Sequence, residues 1–227
     1  MLKNILCHTI FIDPLKKNLA PIVIDCGANK GEFSDYAHEQ FTARCYGFEP
    51  DPRLFKNLVN KKNITYLQKA LGSLEGMVRL NLGEKHCSSL MYKETSHQNY
   101  VEVEMTTLES FCTGNNIESI NLLKIDIEGA ELDLLENIGS EFLSKIEQIT
   151  VEFHDFLEKN DIPRIKNIIK RMRKEDFYVL KLSYFTYGDI LMINQRKIQI
   201  SFLQKLIFVI YKYIVGSKRL ASKVLKI

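Results

Sequence analysis

Residues 21–31 read PIVIDCGANKG, an apolar run that ends in a glycine-rich turn. The length and composition of 21–26 predict a buried strand, and residues 31–40 have helical character. Glycines in such a turn allow the backbone to bend tightly and to approach a ligand closely. We expect the helix start at Gly31 to offer unpaired N–H groups to an anionic group. The segment therefore predicts the first strand, binding turn and helix of an α/β domain.

Strands and helices alternate along the rest of the chain. We predict further strands at 45–49, 64–68, 77–82, 101–105, 122–126 and 149–153. Helices are predicted to begin at Asp51-Pro52, where an N-cap residue precedes a proline, and to span 130–137 and 163–174. Residues 178–182 and 190–193 predict a terminal hairpin. This alternation predicts a mostly parallel sheet with helices on both faces and an antiparallel last strand.

A carboxylate follows the turn at a spacing that suits a nucleoside. Glu49 stands about twenty residues after the glycines, at the end of the second strand, where it could accept both hydroxyls of a ribose. The turn spacing is neither G-x-G-x-x-G nor G-x-x-x-x-G-K-[ST]. S-adenosylmethionine fits better, because its carboxylate replaces a pyrophosphate and its sulfonium favours a nearby acid. The alternative is a glycine turn in another kind of α/β protein. We predict that this cofactor binds along Asp25, Gly27, Ala28, Asn29, Gly31 and Glu49.

Four motifs form a combination that is more specific than any one of them. They are VIDCGANKG at 23–31, GFEPDP at 47–52, ALG at 70–72 and LKIDIEGAE at 123–131. Together they resemble the FkbM family of S-adenosylmethionine-dependent methyltransferases. The weaker patterns TLE at 107–109 and SSL at 88–90 also match, so that the resemblance covers residues 20–195. It implies a Rossmann-like class I methyltransferase fold, cofactor contacts at Pro50 and Ala70, and O-methylation, often of sugar hydroxyls in glycans or natural products.

The fourth motif holds the first candidate catalytic residues. Asp126 ends a predicted strand, so its side chain should face the cleft in which open α/β sheets bind ligands. We assign it to cofactor contact and to catalysis. Glu128 is either a further catalytic residue or an ordinary acid in the first turn of a helix, and Glu131 is predicted to be only the latter.

A second candidate set, Glu152, His154 and Asp155, follows the next strand. Glu152 and His154 are two residues apart on an extended chain, so they point to the same face, close to Asp126. Transfer of a methyl group to a hydroxyl requires loss of the hydroxyl proton, which His154, with an ordinary pKa of about 6.5, or Asp126 could accept. The alternative for His154 is a solvated residue after a strand. A metal held by Asp126, Glu152 and His154 is chemically reasonable, but no tight spacing supports it and we predict none. The other histidines, at 8, 38, 86 and 97, are assigned no role.

The charge is distributed unevenly along the chain. Residues 196–227 hold eight basic side chains and no acidic ones, which leaves residues 1–195 with 23 basic and 28 acidic side chains, a net charge of −5. An acidic body argues against nucleic-acid binding. We predict a methyltransferase domain over 1–195 and a basic amphipathic helix over 196–227.

The cysteines and the apolar runs indicate the compartment. The five cysteines, at 7, 26, 45, 87 and 112, are widely spaced and include no C-x-x-C pair, which predicts reduced thiols in the cytoplasm. The apolar run 5–12 is interrupted by His8 and does not have the features of a signal peptide. No uncharged apolar stretch reaches the length of about eighteen residues that a membrane span needs.

The C-terminal residues 198–227 predict one helix, with a break at Gly216 as the alternative. Lys205, Lys212, Arg219 and Lys226 recur every seven residues beside a wide apolar face. Such a helix suits peripheral contact with an anionic membrane. The alternative is packing on the domain or on a second copy in a homo-oligomer.

The predicted function is O-methylation of a hydroxyl on a small-molecule or glycan acceptor, and the resemblance implies a sugar of a glycan or glycolipid. One alternative is N-methylation of a protein or small molecule. Another is a nucleoside-binding or scaffold protein that has lost catalysis, against which Asp126, Glu152 and His154 argue.

Overall fold

The protein is described from a computed structural model. The structure describes residues 1–83, 88–90, 100–154 and 161–224, with side chains described outside 88–90 and 218–224. The strands are β1 Leu2–Ile5, β2 His8–Phe11, β3 Ile22–Cys26, β4 Arg44–Phe48, β5 Ile64–Leu67, β6 Ala70–Leu71, β7 Gly76–Leu82, β8 Ser88–Leu90, β9 Tyr100–Thr106, β10 Leu122–Ile125, β11 Gln148–Val151, β12 Phe177–Lys181 and β13 Ile190–Asn194. The helices are α1 Ile12–Lys17, α2 Glu32–Phe41, α3 Pro52–Phe55, α4 Leu108–Gly114, α5 Glu131–Asn137, α6 Ser140–Leu143, α7 Ile162–Lys174 and α8 Phe202–Val224.

A seven-stranded sheet forms the centre of the molecule, in the order β12-β13-β11-β10-β3-β4-β5. The pairs β10–β11, β10–β3, β3–β4 and β4–β5 are parallel, whereas β13 is antiparallel to both β11 and β12. The predicted mostly parallel sheet with an antiparallel last strand is therefore confirmed. The carboxyl ends of β3, β4, β10 and β11 meet at one edge, which is where ligands bind in open α/β sheets.

Helices cover both faces of this sheet, as the alternation predicted. On one face, side chains of α4, α5 and α7 pack on β3, β10 and β11, with Phe111, Leu135 and Ile168 among the buried residues. On the other face, α1 and α2 contribute Leu15 and Phe33 to a second core. The first helix after the glycine turn and the proline-initiated helices α3 and α7 all form where the sequence predicted them.

A separate four-stranded sheet has the strand order β6-β9-β7-β8. The strands predicted at 77–82 and 101–105 are its main members, and they pair antiparallel. One face of this sheet is buried and carries Leu80, Val103 and Met105. This explains the alternation of apolar and polar residues along β7 and β9.

The N-terminal residues form a hairpin, β1–β2, that the sequence analysis did not predict. All four residues of β2 are buried, so the strand lacks the alternation by which a strand with one exposed face is recognised. The Gln148 side chain holds this hairpin on the sheet, because it accepts from the backbone N–H of Phe11 and donates to the Phe11 carbonyl, both at 3.0 Å. The hairpin places His8 at the ligand-binding edge of the sheet.

The C-terminal helix α8 is continuous through Gly216, so the alternative of a break there is wrong. Phe208 is buried in a core shared with Phe11 and Leu180, and its ring lies 5.2 Å from that of Phe11. The helix thus packs on residues of the preceding domain. Among the described residues, no helix has the length and apolar character needed to cross a membrane.

Candidate active site

Two glycines allow the turn after β3 to come close to neighbouring strands. Gly27 has φ +86°, and a Cβ atom there would lie 1.8 Å from the carbonyl oxygen of Asp126. Gly31 has φ +79°, and a Cβ atom there would lie 2.4 Å from the hydroxyl of Tyr66. A side chain is excluded at both positions by the backbone conformation and by space. Gly27 therefore allows the turn to approach the end of β10, and Gly31 allows it to approach Tyr66 of β5.

Four backbone N–H groups of this turn donate hydrogen bonds within the protein. Gly27 and Ala28 both donate to the carbonyl of Phe48, and Gly31 donates to the carbonyl of Ala28 at 2.7 Å. Asn29 donates to Oε2 of Glu49 at 2.8 Å. The N–H of Gly31 is therefore used by the turn itself, whereas the binding of an anion by the following N–H groups of the helix start stays a prediction.

One pocket, here named the cofactor pocket, opens between this turn and the end of β4. Of the residues predicted from the sequence, it is lined by Gly27, Asn29, Glu49, Pro50, Ala70, Asp126 and Glu128. Phe48, Leu54, Leu71 and Leu80 add apolar walls. An apolar slot with a carboxylate at its edge fits an adenosine, whose base is flat and whose ribose carries two hydroxyl donors.

Glu49 is held rigidly at that edge. Its side chain is buried, with Oε2 accepting from the N–H of Asn29 and Oε1 accepting from the N–H of Asp51 at 2.9 Å. Burial raises the pKa of Glu49 to about 7, although the two backbone hydrogen bonds oppose this shift. Each carboxylate oxygen keeps a second lone pair, so the hydroxyls of a ribose can still be accepted.

Asp25 does not line the cleft, contrary to its predicted position beside the sulfonium. Its side chain is completely buried, accepts a hydrogen bond from Oγ of Ser34 at 2.8 Å and lies 3.2 Å from Nζ of Lys124. Lys124 also donates to the carbonyl of Gly27 at 2.7 Å. Burial alone would lower the pKa of Lys124, but Asp25 and Asp126 raise it above its ordinary value. Asp25 therefore acts on the site through Lys124, which ties β3 to β10.

Asp126 lies where several cationic or donor groups converge. Its Oδ2 is 3.3 Å from Nε2 of His8 and 3.5 Å from Nζ of Lys124, and its Oδ1 is 3.7 Å from Nε2 of His154. Burial would raise the pKa of this carboxyl, but the hydrogen bond with His8 and the charge of Lys124 hold it well below its usual range. Asp126 is therefore an anion at neutral pH and a weak base.

His154 is close to Asp126, as the strand spacing predicted, but its surroundings change its expected chemistry. Nδ1 lies 2.8 Å from Oε1 of Glu131, and Nε2 lies 3.4 Å from Oε2 of Glu128. Burial would lower the pKa of His154, but Glu131, Glu128 and Asp126 raise it to about 9. The imidazole is therefore protonated at neutral pH and donates hydrogen bonds. The expectation of a proton acceptor with a pKa of about 6.5 does not fit this environment. Asp155 lies outside the described residues.

A second pocket, here named the acceptor pocket, adjoins the first across Gly27 and Asp126. Its other lining residues include His8, Ala28, Lys30, Phe33, Lys124 and Glu152. Burial, followed by the charge of Asp126, raises the pKa of Glu152. Glu152 therefore holds a proton more strongly than an exposed glutamate. Gly31 lines neither of these two pockets. Its carbonyl accepts a hydrogen bond from the hydroxyl of Tyr66.

Within the described ranges, two groups of side chains are close enough to share a metal ion, each with ligand atoms within 4.8 Å of one another. They are His8, Asp126 and Glu152, and Asp126, Glu131 and His154. The set considered from the sequence, Asp126, Glu152 and His154, is split between them. In both groups Asp126 is also close to Lys124 and to a histidine. These side chains can donate hydrogen bonds to its carboxylate, so a metal is not needed to neutralise the charge.

Three residues of this centre were missed by sequence reasoning. His8 was given no role because it has no partner nearby in sequence, and Lys124 was quoted only as part of a motif. Glu131 was predicted to be an ordinary helix-start acid, but it is buried and accepts from the N–H groups of Ile127 and Gly129 as well as contacting His154. The Gly129-Ala130-Glu131 turn was the available signal, since a carboxylate there can cap the loop before a helix.

The sheet order, the glycine turn and the acid after the second parallel strand together define a Rossmann-like methyltransferase. The chain matches the methyltransferase FkbM domain over residues 25–179. It therefore belongs to the FkbM methyltransferase family, with S-adenosylmethionine as its methyl donor.

Known proteins of similar sequence and structure carry related descriptions. Methyltransferase 1 of Beauveria bassiana is 27% identical over 196 residues, covering 71% of this chain and 76% of that protein. The 2-O-methyltransferase NoeI of Sinorhizobium fredii is 24% identical over 158 residues, covering 60% of this chain and 64% of that protein. Human methyltransferase-like protein 13, solved with S-adenosylhomocysteine, aligns with a TM-score of 0.46 and 11% identity over 89% of this chain and 84% of that one.

Proposed function

We propose that this protein methylates a hydroxyl group, with a sugar of a glycan or glycolipid as the acceptor class. The observation that carries the proposal is a pair of neighbouring carboxyl groups: Asp126 lines both pockets, and Glu152, with a carboxylate oxygen within 4.8 Å of one of Asp126, lines the acceptor pocket. A hydroxyl becomes a good nucleophile only as it loses its proton, and a carboxylate in contact with it can hold that proton. The similarity to NoeI, a 2-O-methyltransferase, supports the same chemistry.

The cofactor pocket would hold S-adenosylmethionine by its adenosine. Glu49 would accept the ribose hydroxyls, Pro50 and Ala70 would border the base, and Gly27 and Asn29 would lie beneath the remainder. S-adenosylmethionine supplies an electrophilic methyl group on a positively charged sulfur. Asp126, an anion shared by both pockets, is placed to favour positive charge at their junction.

Glu152 is the residue we assign to accept the proton of the hydroxyl. Asp126 is too weak a base because its pKa is low, and His154 is already protonated at neutral pH. His8 must donate from Nε2 for its contact with the Asp126 carboxylate to be a hydrogen bond. Glu152 lines the acceptor pocket and has a raised pKa, which brings it closer to that of an effective base.

The test measures S-adenosylhomocysteine formation with glycan and glycolipid fractions as acceptors. Glu152→Gln should lower turnover by about 10²–10⁴-fold while leaving the affinity for S-adenosylhomocysteine unchanged. Glu141→Gln, an exposed glutamate on α6, is the matched control and should retain full turnover. Methylation of amines alone would overturn the hydroxyl assignment. Tight cofactor binding without turnover on any acceptor class would instead favour a protein that has lost catalysis.

A further inference from the structure

One face of α8 is apolar and exposed along almost four turns. Eight large hydrophobic side chains form this face and are 39% to 85% exposed: Phe202, Leu203, Leu206, Ile207, Val209, Ile210, Tyr213 and Ile214. The two lysines of this part of the sequence, Lys205 and Lys212, do not belong to the face. Contiguous apolar patches of this kind are uncommon on monomeric soluble proteins and mark interaction surfaces. The exposed face of α8 therefore has the character of an interaction surface.

The opposite face of the helix packs on the domain, and Lys205 and Lys212 lie at its border. Phe208 is buried, and Tyr211 packs against the same core. Lys205 is partly buried, with Nζ 5.5 Å from the centre of the Tyr178 ring, and Lys212 is also partly buried. The lysines therefore border the exposed apolar face and do not interrupt it. Long basic side chains in this position can extend their charged ends toward phosphate groups.

The loop between β12 and β13 continues this surface to the catalytic edge of the sheet. The Tyr184 hydroxyl donates to the carbonyl of Tyr213, and the Tyr184 ring lies so close to Gly216 that a Cβ atom there would be 2.5 Å away. Phe185, the next residue, is 80% exposed. In the same loop, the carbonyl of Tyr187 accepts a hydrogen bond from the N–H of Phe153. Phe153 follows the proposed base, Glu152, in the sequence.

We propose that the exposed face of α8, together with Phe185, docks on an anionic lipid bilayer. Charge distinguishes this partner from a second copy of the chain. The segment 196–227 has eight basic residues and no acidic ones, so a symmetric helix-to-helix dimer would bring like charges together. An anionic bilayer offers an apolar interior for the exposed side chains and negative headgroups for the bordering lysines.

Docking in this orientation places the acceptor pocket near the headgroups. The β12–β13 loop spans the distance between the apolar face of α8 and the strand end that carries Glu152. A lipid-linked acceptor would then reach the pocket without leaving the membrane. That benefit rests on the proposed function, whereas the docking itself does not.

The experiment is co-sedimentation of the full chain with vesicles of phosphatidylcholine alone and of phosphatidylcholine with phosphatidylglycerol. The full chain should bind the anionic vesicles at low salt and bind them less at high salt. Ile210→Glu with Ile214→Glu should reduce partitioning by roughly tenfold or more, because anions replace two exposed apolar side chains that would enter the bilayer. Leu19→Glu with Val59→Glu is the matched control, since both residues are exposed far from α8 in sequence, and it should bind like the unchanged protein.

Affinity for S-adenosylhomocysteine, measured on the same variants, separates this proposal from the proposed function. It should be unchanged in both pairs, because all four residues are exposed outside the two pockets. Equal vesicle binding by both pairs would overturn the docking surface. A full chain that ignores anionic vesicles but changes from dimer to monomer on Ile210→Glu with Ile214→Glu would replace the lipid by a second copy.

Discussion

Replacing Glu49 by glutamine tests the cofactor pocket with little change in shape. In the structure both carboxylate oxygens accept backbone N–H groups, from Asn29 and Asp51, and the ribose would use the remaining lone pairs. Glu49→Ala would leave those two buried donors without acceptors and would disturb the turn itself. Glu49→Gln retains one oxygen acceptor, so its effect reports more directly on the ribose contact.

The expected loss follows from the number of hydrogen bonds to the charged group. One hydrogen bond to a charged acceptor contributes about 1.5–3 kcal/mol, so Glu49→Gln should weaken binding of S-adenosylhomocysteine by roughly 10- to 150-fold. Titration calorimetry measures this directly, and Glu141→Gln should bind like the unchanged protein. The apparent melting temperature of each variant, measured without cofactor, shows whether the pocket itself is intact.

The pH dependence provides an independent test of the same assignment. Burial raises the pKa of Glu49 to about 7 in the cofactor-free protein. Hydroxyl donors prefer the ionised carboxylate, so affinity should fall as the pH is lowered through this value, approaching about tenfold per unit below it. Glu49→Gln should lack this dependence. An affinity that is insensitive to pH, together with unchanged binding by Glu49→Gln, would show that the ribose lies elsewhere.

Three further predictions concern the frame around the site. Lys124→Met should lower the free energy of unfolding in urea by about 3–5 kcal/mol, because it leaves the buried carboxylate of Asp25 without its cation, and adding Asp25→Asn should restore part of the loss. Gly27→Ala should destabilise the fold by more than about 4 kcal/mol, whereas Gly139→Ala, where the space is open, should cost little. Because the pKa of His154 is raised to about 9, its stabilisation should be complete below its ordinary pKa of about 6.5 and should be lost as the pH rises through about 9. Unfolding curves of His154→Gln across this window should therefore converge with those of the unchanged protein at high pH.

The central sheet could be predicted because its signals are local. The apolar run before Gly27, the helix start at Asp51-Pro52 and the alternation of strands with helices each depend on a few neighbouring residues. The carboxylate of Glu49 could be placed for the same reason, since parallel strands that end together bring their following residues to one edge. The residues that follow parallel strands can therefore be assigned to one edge of the sheet from the sequence alone.

The electrostatics around Asp126 could not be predicted in that way. His8 and Asp126 are separated by 118 positions and meet because a fully buried hairpin docks on the sheet. The pKa of His154 depends on Glu131, which the sequence presented as a common first-turn acid. Such values depend on which charges the tertiary packing places within a few ångströms of one another, and neither periodicity nor spacing contains that information.

The two ends of the chain meet over the same part of the sheet, and this affects how the C-terminal helix can be studied. Phe208 of α8 packs edge-on against Phe11, the last residue of β2. The first residue of the same strand, His8, contacts Asp126. Shortening the chain after Asn194 would remove α8 and uncover that core at once. Loss of turnover or of vesicle binding in a shortened chain would then have two explanations. Substitutions confined to the exposed face of α8 leave Phe208 in place, so they change the surface that lipid would contact without removing the packing that holds His8 beside Asp126.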